Sequence, residues 1–82
     1  MRRVTLYGRP GCHLCDEALA AIEAMRGELE PFELHQVDIE TDRALLRAYL
    51  ERIPVVEVEG EIVSELALDR AALRSALARV RA

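Results

Sequence analysis

The sequence predicts a small α/β domain whose elements follow the order β-α-β-α-β-β-α. Short β-rich runs alternate with segments in which apolar residues recur every three or four positions, and turn-forming residues separate them. The 82 residues are one domain's worth of chain, so we expect a single domain across residues 1–82. A chain of this size buries only about 60% of its unfolded surface, so any active site should be shallow.

The first two elements are a strand and an amphipathic helix. The run from Arg3 to Tyr7 is β-rich, and the cluster Gly8-Arg9-Pro10-Gly11 predicts a turn after it. A helical pattern then begins at Cys12 and should end near Gly27 or shortly before Pro31. The apolar face of this helix comprises Cys15, Ala18, Leu19, Ile22, Met25 and Leu29.

The middle of the chain predicts a second strand and a second helix. Residues Glu33 to Ile39 alternate imperfectly and carry several polar side chains, which favours a strand at the edge of a sheet. Thr41 is the predicted N-cap of the second helix. The helix should end before Pro54, and its predicted inner face carries Leu45, Ala48 and Tyr49, with Leu46 and Leu50 beside it.

The last third predicts a hairpin and a third helix. Val55 to Val58 and Glu61 to Val63 read as two strands joined at Glu59-Gly60, where Gly60 supplies the positive φ. Asp69 is the predicted N-cap of the helix. Its predicted inner residues are Leu73, Ala76, Leu77 and Val80, and its outer residues are Arg70, Arg74 and Arg81.

Charge and hydropathy exclude several classes of function. Eleven Arg and no Lys against fifteen Asp and Glu leave a net charge of −4, the wrong sign for a general nucleic-acid binder. Met1-Arg2-Arg3 opens like a signal peptide, but the apolar stretch stops at Gly8 and no run approaches membrane-spanning length. We therefore expect a cytoplasmic monomer with no nucleic-acid or membrane partner.

The two cysteines, Cys12 and Cys15, indicate a redox or metal-binding site. A bridge between them closes a loop of only a few residues and restrains little unfolded-chain entropy, so a structural role is disfavoured and redox or metal chemistry is left. Cys12 lies at the predicted helix start, where backbone N–H groups and the helix dipole favour a thiolate, so it should be the nucleophile. Cys15 lies one turn further on the same face and should be the resolving thiol.

The residues beside the two cysteines can modulate this chemistry. Arg9, and His13 when protonated, can favour the Cys12 thiolate by charge. His13 is also compatible with an ordinary solvated position in the first helical turn. Asp16 and Glu17 act partly against the thiolate, and their usual role is to favour the first helical turn electrostatically.

Three segments together resemble the glutaredoxin-like branch of the thioredoxin-fold superfamily. They are Val4-Thr5-Leu6-Tyr7, residues 9–16 with their Cys-His-Leu-Cys site, and Ile53-Pro54-Val55-Val56 followed by a hairpin and a closing helix. The resemblance covers nearly the whole chain and comes closest to small bacterial glutaredoxin-like proteins. It implies a four-stranded mixed sheet of order 2-1-3-4 with helices on both faces.

The resemblance also implies a substrate site. Ile53-Pro54 would be a cis peptide beside the cysteines, with the Ile53 backbone hydrogen-bonded to an incoming thiol substrate. The residues alone are equally compatible with a trans proline that ends the second helix. The predicted substrate-binding residues are Arg9, Pro10, His13, Leu14, Ile53 and Pro54.

One segment departs from glutaredoxins that use glutathione. They carry a Gly-Gly turn after the last strand, whereas Val63 to Asp69 contains no glycine, and Glu65 would repel a carboxylate. Leu14 replaces the aromatic residue common before the second cysteine. Arg9 and the Ile53 backbone could still hold part of glutathione, so the reductant is glutathione or an enzyme of the thioredoxin-reductase type.

The leading hypothesis is therefore a thiol-disulfide oxidoreductase that needs no cofactor beyond its two thiols. Its partner would be a disulfide-containing protein or a small thiol substrate. One alternative is a metal or iron–sulfur site, but the chain adds only His13 and the distant His35 to the two cysteines, so a second copy or glutathione would have to complete the ligands. The other alternative is a redox-inert binding module that uses the groove around Pro54.

Overall fold

A computed structural model describes residues 1–79 and gives a four-stranded mixed sheet of order β2-β1-β3-β4. β2 is parallel to β1, β3 is antiparallel to β1, and β4 is antiparallel to β3. The strand order implied by the resemblance is confirmed, and β2 lies at an edge as its polarity predicts. The strands are β1 (Arg2–Gly8), β2 (Phe32–Asp38), β3 (Val55–Val58) and β4 (Glu61–Glu65).

The three predicted helices are present in the predicted order. They are α1 (His13–Ala24), α2 (Arg43–Tyr49) and α3 (Arg70–Arg79), and short 3₁₀ turns follow α1 and precede α2 at Arg26–Glu28 and Ile39–Thr41. Asp69 caps α3 as predicted, since its Oδ1 accepts a hydrogen bond from the Ala72 N–H at 2.9 Å. The predictions for Val80 and Arg81 lie outside the described residues.

The larger core lies between the sheet and the helices α1 and α3. Val4 and Leu6 of β1 are opposite Val58 and Val56 of β3 in the register, so these four side chains share one face of the sheet. The remaining buried members of this core come from α1, β2, α3 and the turn after α1: Ala18, Ile22, Met25, Phe32, Leu73, Ala76 and Leu77. This apolar packing fixes the start of α1 against the end of β1.

A second, smaller core on the opposite face joins α2 to the cysteines. Cys15, Ile39, Ile53 and Val55 are buried together in this second core. Half-buried side chains packed against them include Tyr7 and three residues of α2, which are Leu45, Leu46 and Tyr49. Helices therefore cover both faces of the sheet, and the face with the shorter helix contains the Cys15 side chain.

The predicted N-cap of α2 and one residue of its predicted inner face were wrong. Asp42, and not Thr41, caps α2, because Asp42 Oδ1 accepts from the N–H groups of Ala44 and Leu45 at 2.8 and 3.3 Å. Thr41 instead donates its hydroxyl to the Asp38 carbonyl at 2.7 Å within the preceding 3₁₀ turn. Ala48 is exposed and does not belong to the inner face of α2.

Two further details differ from the prediction. Regular α-helical structure in α1 stops at Ala24, and the 3₁₀ turn carries the chain past Gly27. In the hairpin both turn residues have positive φ, 52° at Glu59 and 84° at Gly60, which matches the twist of the two strands. Within residues 1–79, no helix is long and apolar enough to cross a membrane.

Candidate active site

Cys12 and Cys15 lie where β1 ends and α1 begins. Cys12 is the N-cap of α1 and Cys15 is in its first turn. Their sulfurs form a disulfide, with the two Cα atoms 5.2 Å apart. Cys12 is half-buried and Cys15 is only 6% exposed. A molecule arriving from solvent therefore reaches the Cys12 sulfur first.

The backbone at the start of α1 points a donor at the Cys12 sulfur. The Cys15 N–H donates to Cys12 Sγ at 3.1 Å, which makes the sulfur the acceptor in the helix cap. Unpaired N–H groups at a helix start carry the positive end of the helix dipole and favour a thiolate over a thiol. The local fold thus supplies the environment that the Cys-x-x-Cys spacing predicts.

Gly8 is part of the site in a way that the sequence analysis missed. A Cβ at Gly8 would lie 3.0 Å from both Cβ and Sγ of Cys15, so the cysteine packs directly on the glycine backbone. The sequence predicts only a turn at Gly8, because this residue begins the turn-forming cluster after β1. A glycine at the end of a strand just before Cys-x-x-Cys is the signal that could have found it.

The Ile53-Pro54 peptide is cis, as the resemblance implies. Ile53 and Pro54 are buried, and Ile53 belongs to the same small core as Cys15. The Ile53 N–H donates to the Tyr49 carbonyl at 3.0 Å, whereas no donor among residues 1–79 bonds the Ile53 carbonyl oxygen. Of the two backbone groups expected to meet a substrate, the carbonyl is open and the N–H is already engaged.

The two predicted cations beside Cys12 both face carboxylates. Arg9 forms an ion pair with Glu40 at 2.9 Å, with both side chains about 40% exposed. The His13 side chain is 93% exposed and lies 4.0 Å from Glu17. The guanidinium of Arg9 is thus shared with a carboxylate, and its expected effect on the Cys12 thiolate stays a prediction.

Beside the cis proline, Arg52 and Glu65 form an ion-paired clasp, which the sequence does not predict. Arg52 donates through Nε and Nη2 to the two carboxylate oxygens of Glu65 at 3.1 and 2.6 Å, and these hydrogen bonds lower the pKa of Glu65. The Leu66 N–H donates to the carbonyls of Arg52 and Pro54, both at 3.0 Å. The clasp neutralises Glu65, so the predicted repulsion of a carboxylate is largely cancelled.

Tyr7 supports the small core below the site. Its hydroxyl donates to Glu57 Oε1 at 3.0 Å, and its ring centre lies 5.0 Å from that of Tyr49. Burial, followed by the hydrogen bond to Glu57, raises the pKa of Tyr7 to about 12. Tyr7 is therefore a neutral hydrogen-bond donor at physiological pH.

The structure does not assemble a set of metal ligands around the cysteines. Among residues 1–79, no three His, Cys, Asp or Glu side chains come close enough together to bind a metal ion. His35 lies on the edge strand, where its ring contacts Glu33 at 3.2 Å. A metal or cluster on Cys12 and Cys15 would need ligands from another molecule.

The chain is similar to proteins of known structure over most of its length. It is 32% identical to protein Ne2328 from Nitrosomonas europaea, with a TM-score of 0.82 over 93% of this chain and 91% of that one. It is 35% identical to protein XcR50 from X. campestris, with a TM-score of 0.66 over 95% and 99% of the two chains. A mutant thioredoxin from Halobacterium salinarum shares the fold at 21% identity and a TM-score of 0.63, over 93% of this chain and 71% of the thioredoxin.

No curated protein matches the chain. The glutaredoxin-like domain family, DUF836, matches residues 3–78, which include both cysteines, the cis proline and every strand residue except Arg2. With the thioredoxin-like sheet order and the Cys12–Cys15 disulfide at the start of α1, this match identifies the family. The chain belongs to the glutaredoxin-like domain family, DUF836.

Proposed function

We propose that the protein is a thiol-disulfide oxidoreductase in which Cys12 is the nucleophile and Cys15 is the resolving thiol. The difference between the two sulfurs carries the proposal: Cys12 is the more accessible and accepts the Cys15 N–H, and Cys15 is buried within bonding distance of it. An exposed sulfur favours attack on an external disulfide, and a buried neighbour favours resolution within the chain.

The reaction is a balanced exchange of two disulfides. The Cys12 thiolate attacks one sulfur of the substrate disulfide, a mixed disulfide forms, and the first substrate thiolate leaves and takes a proton from water. Cys15 then loses its proton and attacks the Cys12 sulfur, which releases the second substrate thiolate. The substrate gains two electrons and two protons, and the chain is left with the Cys12–Cys15 disulfide.

The protein needs no cofactor for this exchange beyond its own two thiols. Its substrate is a disulfide-containing protein or a small disulfide, and a reductant must return the chain to the dithiol form. Glutathione and an enzyme of the thioredoxin-reductase type are the two candidate reductants. The proposed setting is the cytoplasm, with the protein acting as a monomer.

Two cysteine variants test the proposal. Cys12→Ser should abolish reduction of insulin, and Cys15→Ser should accumulate a mixed disulfide with the substrate that mass spectrometry detects. Iodoacetamide should alkylate Cys12 of the reduced protein faster than Cys15, because Cys15 is buried. A Cys12→Ser protein that reduces insulin at the wild-type rate would contradict the proposal, provided that its melting temperature shows it to be folded.

Equilibration of the protein with a glutathione redox series measures the potential of the Cys12–Cys15 pair. Glutathione and a thioredoxin reductase, compared as reductants in the same assay, then assign the electron donor. The reductant that regenerates the dithiol faster at matched concentration is the donor that the site favours.

A further inference from the structure

Two exposed leucines belong to segments that form the candidate site, one in the Cys-x-x-Cys segment and one in the loop bonded to the cis proline. Leu14 is 48% exposed and lies between the two cysteines in the chain. Leu66 is 54% exposed and follows β4, where its N–H is bonded to the carbonyl of the cis Pro54. A depression of about 170 Å³ between α1 and the loop after β4 is lined by Leu14, Ala67 and Leu68 together with the oppositely charged Glu17 and Arg70. Leu14 and the loop that holds Leu66 therefore form one surface.

The backbone of Leu66 has a conformation that favours glycine. Its φ is +70°, and the Ala67 N–H bonds the Glu65 carbonyl across it at 2.7 Å, as in a γ-turn. A Cβ disfavours the left-handed region, whereas glycine adopts it freely. The chain thus holds a large apolar side chain in solvent at a position where glycine would suit the backbone better. Packing within the described residues does not account for the leucine, because its side chain is 54% exposed.

The two arginines that precede Cys12 and the cis proline in the chain are already paired with carboxylates. Arg9 is paired with Glu40, and Arg52 is paired with Glu65. The N–H groups of the loop after β4 are also used within the chain at Leu66, Ala67 and Asp69. Glutathione carries two carboxylates, so recognition of it here would require breaking contacts that the chain already makes.

The open backbone group at the site is an acceptor. The Ile53 carbonyl oxygen receives no hydrogen bond from any residue in the described range 1–79. A backbone N–H of an extended polypeptide is the partner that suits such a carbonyl. The accessible Cys12 sulfur thus lies beside an apolar surface and an open carbonyl. These features suit a peptide segment better than glutathione, which is an anionic tripeptide.

We infer that the substrate is a polypeptide disulfide with an apolar residue next to its cysteine, and that mixed disulfides of glutathione are poor substrates. Leu14 and Leu66 contact the apolar side chain, and the Ile53 carbonyl accepts a backbone N–H of the substrate. The covalent step is the balanced exchange given above, with Cys12 attacking the peptide disulfide. This inference rests on the proposed function and adds to it the class of substrate.

The test compares four disulfides as oxidants of the reduced protein. They are a symmetric disulfide of a short peptide with Leu after its Cys, the same peptide with Ser in that place, oxidised glutathione, and hydroxyethyl disulfide as a small uncharged probe. The Leu peptide should react about fivefold faster than the Ser peptide, the factor that corresponds to burying half of a leucine side chain. It should also react more than tenfold faster than oxidised glutathione.

Variants at the two leucines then locate the contact. Leu66→Gly and Leu14→Ser should each lower the ratio of the Leu-peptide rate to the hydroxyethyl disulfide rate, by about fivefold for Leu66→Gly. Leu66→Gly should not lower the melting temperature, since glycine suits φ +70°. Glu59→Gly is the matched control: Glu59 also has a positive φ, but it lies in the β3–β4 hairpin, and its substitution should leave the ratio unchanged.

The outcomes separate the inference from the function on which it rests. The inference is overturned if the protein exchanges with hydroxyethyl disulfide but reacts with the two peptides at equal rates. It is also overturned if the protein prefers oxidised glutathione. Both results leave the oxidoreductase function intact. Leu66→Gly and Leu14→Ser proteins that keep the wild-type ratio also overturn it. Failure of the wild-type protein to exchange any of the four disulfides overturns the proposed function, and the inference with it.

Discussion

Gly8→Ala should disturb the fold and the candidate site together. The new Cβ would lie 3.0 Å from both Cβ and Sγ of Cys15, whereas ordinary contacts of this kind span 3.4–4 Å. β1 cannot move away, because β2 and β3 pair with it on either side and Gly8 is itself in register with Asp38. Cys15 must move instead, although it is buried on a helix anchored by Ala18 and Ile22.

The expected size of the effect follows from this overlap. Adding a methyl group to a well-packed site costs about 1–3 kcal/mol, and each kcal/mol lowers the melting temperature of a domain of this size by about 4–8 °C. Displacement of Cys15 should also slow its attack on the mixed disulfide by about tenfold, since small misplacements of reacting groups are costly. Circular dichroism measures the melting temperature, and rapid acid quenching followed by mass spectrometry measures the resolution step.

Gly27→Ala is the matched control for this experiment. A Cβ at Gly27 meets no atom within 4 Å, and this substitution should leave the melting temperature unchanged or slightly raised. Its resolution rate should equal that of the wild-type protein, because Gly27 lies beyond the far end of α1. If Gly8→Ala and Gly27→Ala melt within about 1 °C of each other, the steric reasoning about Cys15 is refuted.

Three further predictions concern ionisation, capping and the core. Ultraviolet titration of the two tyrosines should find one group, Tyr7, with a pKa of about 12, above the ordinary value of 10.0. Because folding raises this pKa, the contribution of Tyr7 to stability is complete below pH 10.0 and is lost toward pH 12. Tyr7→Phe should remove that decline from the pH dependence of urea unfolding. Asp42→Ala should lower the free energy of unfolding by about 1 kcal/mol, and Asp42→Asn, which still caps α2, by much less. Leu73→Ala should cost about 2–5 kcal/mol in the same assay, because Leu73 is fully buried between α3 and the sheet.

Periodicity predicted the elements of this fold because each one buries a continuous face. Ala18, Ile22 and Met25 recur at helical spacing and are buried, and Val4 and Leu6 alternate on one face of β1. The order of the strands is a different kind of prediction. It depends on contacts between segments that lie far apart in the chain, and it came from the resemblance carried by the Cys-x-x-Cys and Ile-Pro-Val-Val segments.

The wrong predictions arise where two neighbouring residues compete for one role. Thr41 and Asp42 are both good N-caps. The Thr41 hydroxyl is hydrogen-bonded within the 3₁₀ turn before α2, so Asp42 caps the helix. Local propensity ranks such residues almost equally, so the choice depends on how the preceding strand ends. Gly8 differs from this case, because the need for glycine there comes from the Cys15 side chain, one helical turn into α1.

The difference between local pattern and contacts distant in the chain also applies to the candidate site, where the proposed reactivity is local and the proposed selectivity is not. The proposed reactivity rests on the backbone at the start of α1, where the Cys15 N–H donates to the Cys12 sulfur. Two cysteines spaced in this way after a strand predict such an arrangement. Selectivity depends on which charges near the site are already paired. Arg9 and Glu65 read as a free cation and a free anion in the sequence, yet Glu40 and Arg52 neutralise them in the fold. Because such partners are separated along the chain, the proposed preference for an apolar peptide over an anionic thiol can be argued only from the three-dimensional structure.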